Sequence, residues 1–343
     1  MPGTIRRRRL RRISTTAAVV CLAALVACGG DGTAAGGAGA GGRLKIATSV
    51  APITSIVANV AGDRADVTGI VPEGADSHTF EPKPSAAELL ATADVVFLNG
   101  LSLEEPLRRL AESSVREGAE VVELGTRVLP EEDYIFDFSF PAEEGRPNPH
   151  LWTDPRYGAE YAALVGDTLA GRDPANADYY RRNVAAFTAA VDRLDEAMRE
   201  AFATVAPERR RLLTYHDAYA HFARTYGWEV IGAIQVSDFE DPSPREVARL
   251  IDQVRSSGVP AVFGSEVFPS TVLEQIGKET GVAYVDTLRD DDLPGEPGDP
   301  GHSWLGLLRF DYVTVTRALG GDPAPLEALD VSDVAPDRAT YPQ

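Results

Sequence analysis

Asn148-Pro-His-Leu-Trp-Thr-Asp-Pro155 is the stretch on which the reading of this chain turns. Proline removes a backbone donor and pushes the residue before it out of the helical region, so this segment is not the middle of a helix. A helical pattern (Tyr157, Tyr161, Leu164, Leu169) starts directly after it, which places His150 on a loop entering a helix. Two more of the five histidines have the same setting. His78, within Asp76-Ser-His-Thr-Phe-Glu-Pro82, lies between a strand-like run and a helix-like one. His216 follows the strand-like Leu212-Leu-Thr-Tyr215 and opens a predicted helix, Asp217 to Tyr226. Imidazoles on loops at strand ends are how an α/β scaffold builds a metal site, because neutral imidazole is the commonest borderline ligand.

Residues 1–28 read as an export signal rather than as fold. Six arginines between Arg6 and Arg12 precede the apolar run Ala17 to Ala27, which is too short to anchor as a membrane span. The run ends in Leu25-Val-Ala-Cys28, which resembles a bacterial lipobox, so Cys28 is the expected lipidation site and residues 29–42 are a Gly/Ala-rich tether. The other cysteine, Cys21, is in the leader, so the mature chain is expected to hold neither a disulfide nor a thiolate metal ligand. Without the leader arginines, 27 basic residues face 52 acidic ones, a formal charge of −25 against −19 for the whole chain. Nucleic acid and anionic lipid surfaces are poor partners for such a surface, and a cationic ligand is a better one.

The remaining chain alternates short apolar runs with helical patterns, the signature of parallel sheets covered by helices. One alternation fills residues 43–172, read as an N-terminal lobe, and a second fills 207–343, read as a C-terminal lobe. Between them, 173–206 reads as one long connecting helix, with Asp173-Pro174 at its start and apolar residues from Tyr180 to Val205 spaced by three and four. The expected fold is therefore α/β: two lobes, each with a mainly parallel sheet, joined by one rigid helix. Two segments break the pattern. Residues 129–147, acidic with alternating Tyr134, Phe136, Phe138 and Phe140, read as a surface excursion or a short edge strand. Residues 290–301, rich in Asp, Gly and Pro, read as a loosely ordered turn region.

These pieces, in order, resemble the zinc- and manganese-binding substrate-binding lipoproteins of bacterial ABC importers (the cluster A-I family). The lipobox, Asp76 to Ser85, Asn148 to Pro155, the mid-chain helix, Thr214-Tyr-His-Asp-Ala-Tyr219, Gly264-Ser-Glu266 and a late aspartate before Gly301-His-Ser-Trp304 carry the resemblance. It implies four metal ligands: His78, His150, His216 and an aspartate of Arg289-Asp-Asp-Asp-Leu293. Ungapped counting selects Asp291, and one residue of slippage selects Asp290. Glu266 is read either as an outer partner of a ligating imidazole or as a structural acid. The resemblance further implies Zn²⁺ or Mn²⁺ as transported substrate, a membrane permease as partner, a lipid anchor on the outer face of the cell membrane, a monomer, and no enzymatic activity. Three imidazoles and one carboxylate tilt the choice toward zinc. The rivals are a metal-stabilised surface lipoprotein or adhesin, and a zinc hydrolase, which lacks an identifiable general base here. Of the other histidines, His221 reads as packing and His302 as a cap or surface residue.

Overall fold

The computed structural model describes residues 42–234, 242–265 and 270–343. The leader, Cys28, nearly all of the tether and Glu266 lie outside the described residues. In chain order the elements are β1 (Leu44–Thr48), α1 (Ala51–Ala61), β2 (Ala65–Gly69), α2 (Pro84–Thr92), β3 (Val95–Leu98), α3 (Glu105–Ser114), β4 (Glu120–Glu123) and α4 (Leu124–Val128). Helices α5 (Pro155–Arg172) and α6 (Ala177–Ala203) follow, then β5 (Arg211–Thr214), α7 (Ala220–Tyr226), β6 (Glu229–Ala233) and α8 (Pro244–Ser257). The chain finishes with β7 (Ala261–Ser265), α9 (Thr271–Thr280), β8 (Ala283–Leu288), α10 (Trp304–Ala318) and α11 (Ala324–Glu327).

Two parallel four-stranded sheets result, in the orders β2-β1-β3-β4 and β6-β5-β7-β8. The expected α/β architecture is therefore the observed one. The strands are short, and those at the sheet centres are buried almost throughout, as in β3 and β7, because helices cover both faces. Helix α1 is buried along its whole length. Its polar residues act as sockets: Ser55 Oγ accepts from Trp304 N at 2.9 Å, and Asn59 Oδ1 accepts from Val334 N at 2.9 Å. The interior of the first sheet is thereby tied to the last fifth of the chain.

Helix α6 spans 27 residues, about 40 Å at 1.5 Å per residue. It packs on α1 and α5 on one side and on α10 and α11 on the other, through a stripe of Tyr180, Phe187, Val191, Leu194, Met198 and Phe202. Its start differs from the sequence expectation. Pro174–Asn176 forms a 3-10 turn and the α-helix begins only at Ala177. The Asp173 carboxylate spends its Oδ2 on Asn176 Nδ2 (2.7 Å) and Tyr180 OH (2.8 Å) instead of on helix N–H groups.

Residues 129–147 follow the surface-excursion reading and not the edge-strand one: they contain no strand, two 3-10 turns, Glu131–Asp133 and Ala142–Glu144, interrupt them, and Phe136 and Phe138 stay exposed. Two further expectations change. Asp217 does not open a helix: α7 starts at Ala220, because the Asp217 side chain is committed to Ser139 N (3.0 Å). In 290–301, the first four residues are buried, and only the Gly/Pro-rich part is open to solvent.

The lobes meet where the ring of Trp304 of α10 packs against Gly158 of α5. A Cβ placed on Gly158 would sit 2.1 Å from the Trp304 ring, and Trp304 Nε1 donates to Trp152 O at 2.9 Å. Gly158→Ala is therefore expected to destabilise the fold by about 1–3 kcal/mol through overpacking, despite alanine's better helix propensity. Chemical denaturation of the metal-free protein checks this; unchanged or raised stability would refute the packing argument.

Candidate metal centre

Three of the four proposed ligands follow the carboxyl end of a strand, where open parallel sheets leave a crevice. His78 lies on the loop after β2, His216 two residues after β5, and Asp291 three residues after β8. His150 comes from the long connection before α5, where the proline-flanked segment is held from several sides. Asn99, at the end of β3, donates through Nδ2 to Pro149 O at 3.0 Å. His221 of α7 hydrogen-bonds Asn148 O at 3.0 Å, and Asp154 caps α5 by accepting from Arg156 N at 3.1 Å.

The structure brings His78, His150 and His216 together. One ring nitrogen of each lies within 4.8 Å of the others, and His78 Nε2 is 3.1 Å from both His150 Nε2 and His216 Nε2. The far nitrogens of two rings are engaged. His150 Nδ1 donates to Asn148 Oδ1 at 2.9 Å, and His216 Nδ1 bonds the Asp290 carboxylate Oδ2. Such outer bonds fix the tautomer and point the Nε2 lone pair into the site. Three inward lone pairs at this separation repel unless a proton or cation sits among them. The edge of a tetrahedron around Zn²⁺ with N at 2.0–2.1 Å is about 3.3 Å, close to what is observed.

The electrostatics match. Burial first, and then the other imidazoles, drives His78 and His150 well below the usual histidine range, so both are neutral. For His216 burial pulls the same way, but Asp290 and then Asp291 outweigh it and push the ring up to about 9. Without metal, His216 is thus an imidazolium paired with Asp290. Burial would raise Asp290, but the same imidazolium holds its carboxyl below the ordinary range.

The aspartates separate by what they touch. Asp290 is enclosed by His216, by Ser265 Oγ at 3.1 Å and by Trp152 Nε1, which donates to its carbonyl at 2.8 Å. Its carboxylate reaches the three-histidine cluster through His216. Asp291 accepts from Ser77 Oγ at 2.5 Å with Oδ2, while its buried Oδ1 has no hydrogen-bond partner among the described residues. Burial and the Asp290 charge raise it to about 7. No described carboxylate joins the three-histidine group within 4.8 Å, so Asp291 is the adjacent acceptor and not part of that tight cluster.

Several residues near the site carry roles that the sequence reading did not assign. Asn148 holds His150 through Oδ1 and, through Nδ2, binds Asp137 Oδ2 (3.0 Å) and Asp217 O (2.7 Å). The Asp137 carboxyl, raised to about 9 by burial and then by Asp217, pins the acidic excursion beside β5. His221 is fully buried with its ring edge-on to Tyr157, in agreement with the packing expectation. His302 is a correction: it is buried against Tyr341 and 3.4 Å from Glu73, and the capping is done by Ser303, whose Oγ accepts from Gly306 N at 3.0 Å.

Comparison with known proteins places this arrangement. Residues 46–318 match the family described as zinc-uptake complex component A, periplasmic. The chain is 30% identical over 304 residues to the manganese-binding lipoprotein MntA of Halalkalibacterium halodurans, covering 88% of this chain and 97% of that protein. It is 29% identical over 278 residues to the iron-binding protein YfeA of Yersinia pestis, covering 81% and 87%. Its fold superimposes on the periplasmic zinc-binding protein TroA of Treponema pallidum with a TM-score of 0.73 at 24% identity, over 81% of this chain and 99% of that one. With two sheets of the same topology, three converging imidazoles and a match over most of its length, this chain belongs to the family of periplasmic zinc-uptake component A proteins.

Proposed function

We propose that this protein is the extracytoplasmic substrate-binding component of an ABC importer for a divalent transition metal, with zinc as its cargo. The observation that carries the reading is the convergence of three Nε2 atoms at 3.1 Å contacts. His78, His150 and His216 supply three neutral nitrogens and Asp291 the fourth, anionic, donor. That set suits Zn²⁺ and is poor for Ca²⁺ or Mg²⁺, which take oxygen ligands. Similar proteins are described as manganese-, zinc- and iron-binding, which supports a transition metal as the class. In this reading Cys28 carries the lipid anchor, the protein acts as a monomer on the outer face of the membrane, and a permease receives the ion.

Capture assembles donors from both sheets. His78 and His150 come with the first, His216 and Asp291 with the second, so closing the shell fixes one lobe on the other. A hinge through α6 would break backbone hydrogen bonds and its buried stripe, since no Gly or Pro interrupts it. Release is then a matter of the loops that carry His78 and Asp290–Asp292.

Protein purified without added metal is expected to contain close to one equivalent of zinc and, after loading with manganese, to exchange it for equimolar zinc. Elemental analysis and competition dialysis read both. Absence of any bound transition metal would overturn the binding-protein reading; manganese retained against zinc would overturn the choice of cargo.

A further inference from the structure

The loop that brings His78 to the site, Ile70–Phe80, has no regular secondary structure and follows an edge strand. It is nevertheless held closely, and one side of the grip comes from the far end of the sequence. Thr340 forms a parallel bridge to Thr68: Thr340 N donates to Val67 O at 3.0 Å, and Gly69 N donates to Thr340 O at 2.9 Å. Glu73 N then donates to Pro342 O at 3.0 Å. Between these contacts the Tyr341 ring is buried edge-on to His302, 4.8 Å between centroids, and Tyr341 OH donates to Asp337 Oδ2 at 2.6 Å, which folds the segment onto itself.

The other side of the same loop is held by the aspartates of the metal centre. Gly74 N donates to Asp292 Oδ2 at 2.8 Å, and Ser77 Oγ donates to Asp291 Oδ2 at 2.5 Å. His78 is thus delivered by a loop clamped between segment 337–343 and the Asp291–Asp292 turn. We propose that segment 337–343 is a positioning strap for the metal centre, which caps the β2 edge and sets the reach of the His78 loop toward His150, His216 and Asp291. This rests on the assignment of His78 as a metal ligand. None of the strap residues is among the proposed ligands or in the three-histidine cluster. Their effect is preorganisation: a loop ordered in advance does not have to be ordered by the ion.

The probe is cobalt(II), whose visible d–d absorption reports the geometry of an imidazole–carboxylate site. Two variants are compared with the full chain: one ending after Arg338, and Thr340→Pro, which removes the donor to Val67 O while keeping the chain length. Expected for the truncated chain are at least tenfold weaker Co²⁺ binding, an altered d–d spectrum, and faster hydrogen exchange at residues 70–78 with unchanged exchange in β5 and β7. Thr340→Pro is expected to move the same three readouts in the same direction by less. A purely structural role would lower the melting temperature and leave the spectrum as it was, and that result overturns the proposal. So does a cobalt affinity within twofold of the full chain in either folded variant. Should the truncated chain fail to fold, Thr340→Pro alone decides by the same criteria. His78→Ala in the full chain separates the two claims. Loss of cobalt there with an unaffected strap variant refutes the strap alone, whereas retention of cobalt refutes the ligand assignment and the strap with it.

Discussion

A His150→Ala protein is expected to keep its fold and to lose zinc affinity by about a hundredfold or more. Losing an outer partner of a metal ligand typically costs about 10–100-fold, and loss of the ligand itself exceeds that. His78→Ala and His216→Ala are expected to match it, because each removes one of the three converging Nε2 atoms. Asn148→Ala belongs in the outer class, at about 10–100-fold, since it frees the His150 ring without removing its nitrogen. Asp291→Ala is expected to weaken binding more than Asp290→Ala, the first removing a donor and the second the partner of His216. His221→Ala is the contrast. It leaves the buried Asn148 carbonyl without its donor and should cost about 1–3 kcal/mol of stability, with a much smaller change in affinity. Competition against a chromophoric chelator, paired with denaturant titration, measures all seven. Equal, small affinity losses across the set would dissolve the proposed centre.

Zinc affinity is expected to climb about tenfold per pH unit from pH 7 to pH 9 and to level off above. The sign follows from His216. Its ring is held up at about 9 by Asp290 and Asp291 against the opposing effect of burial, so between pH 7 and 9 the metal-free site holds a proton on the nitrogen that the metal needs. Each ion bound releases that proton, and the linkage slope is one. Below pH 7 the slope steepens, because Asp291, raised to about 7, is then protonated as well. His78 and His150, driven down by burial, contribute nothing to the slope in this range. Without metal the sign is opposite: the raised His216 stabilises the fold fully below about pH 6.5, and that contribution is lost as pH rises through 9. Apparent zinc affinity at fixed ionic strength from pH 6 to 10 tests the claim. A flat profile between 7 and 9 would mean that His216 is not the proton holder.

The regular parts of this protein were legible in one dimension. Short apolar runs marked the strands, and the helical pattern from Tyr157 to Leu169 falls within α5, which starts at Pro155. Local chemistry also placed His78, His150 and His216 on loops at strand ends, since prolines and helix starts act over a few residues. What failed were local rules overridden by distant partners. Asp217 has the form of a helix N-cap but bonds Ser139 N across the interface, and Asp173 turns to Tyr180.

The sequence by itself determined the architecture, two parallel sheets bridged by a helix, and which three imidazoles are available, because those depend on periodicity and on residue type. Tertiary structure alone decided the contacts within Asp290-Asp-Asp292. Three identical carboxylates in a row differ only in direction, and direction is set by what each meets: His216 and Ser265 for Asp290, Ser77 for Asp291, Gly74 N for Asp292. It also decided that Asn148 orients His150, that His302 is buried, and that Thr340 pairs with Thr68 on the first sheet. Each of these is a contact between residues far apart in the chain or within a loop of irregular path. No periodic pattern encodes such a contact, and its energy exists only once the lobes have packed.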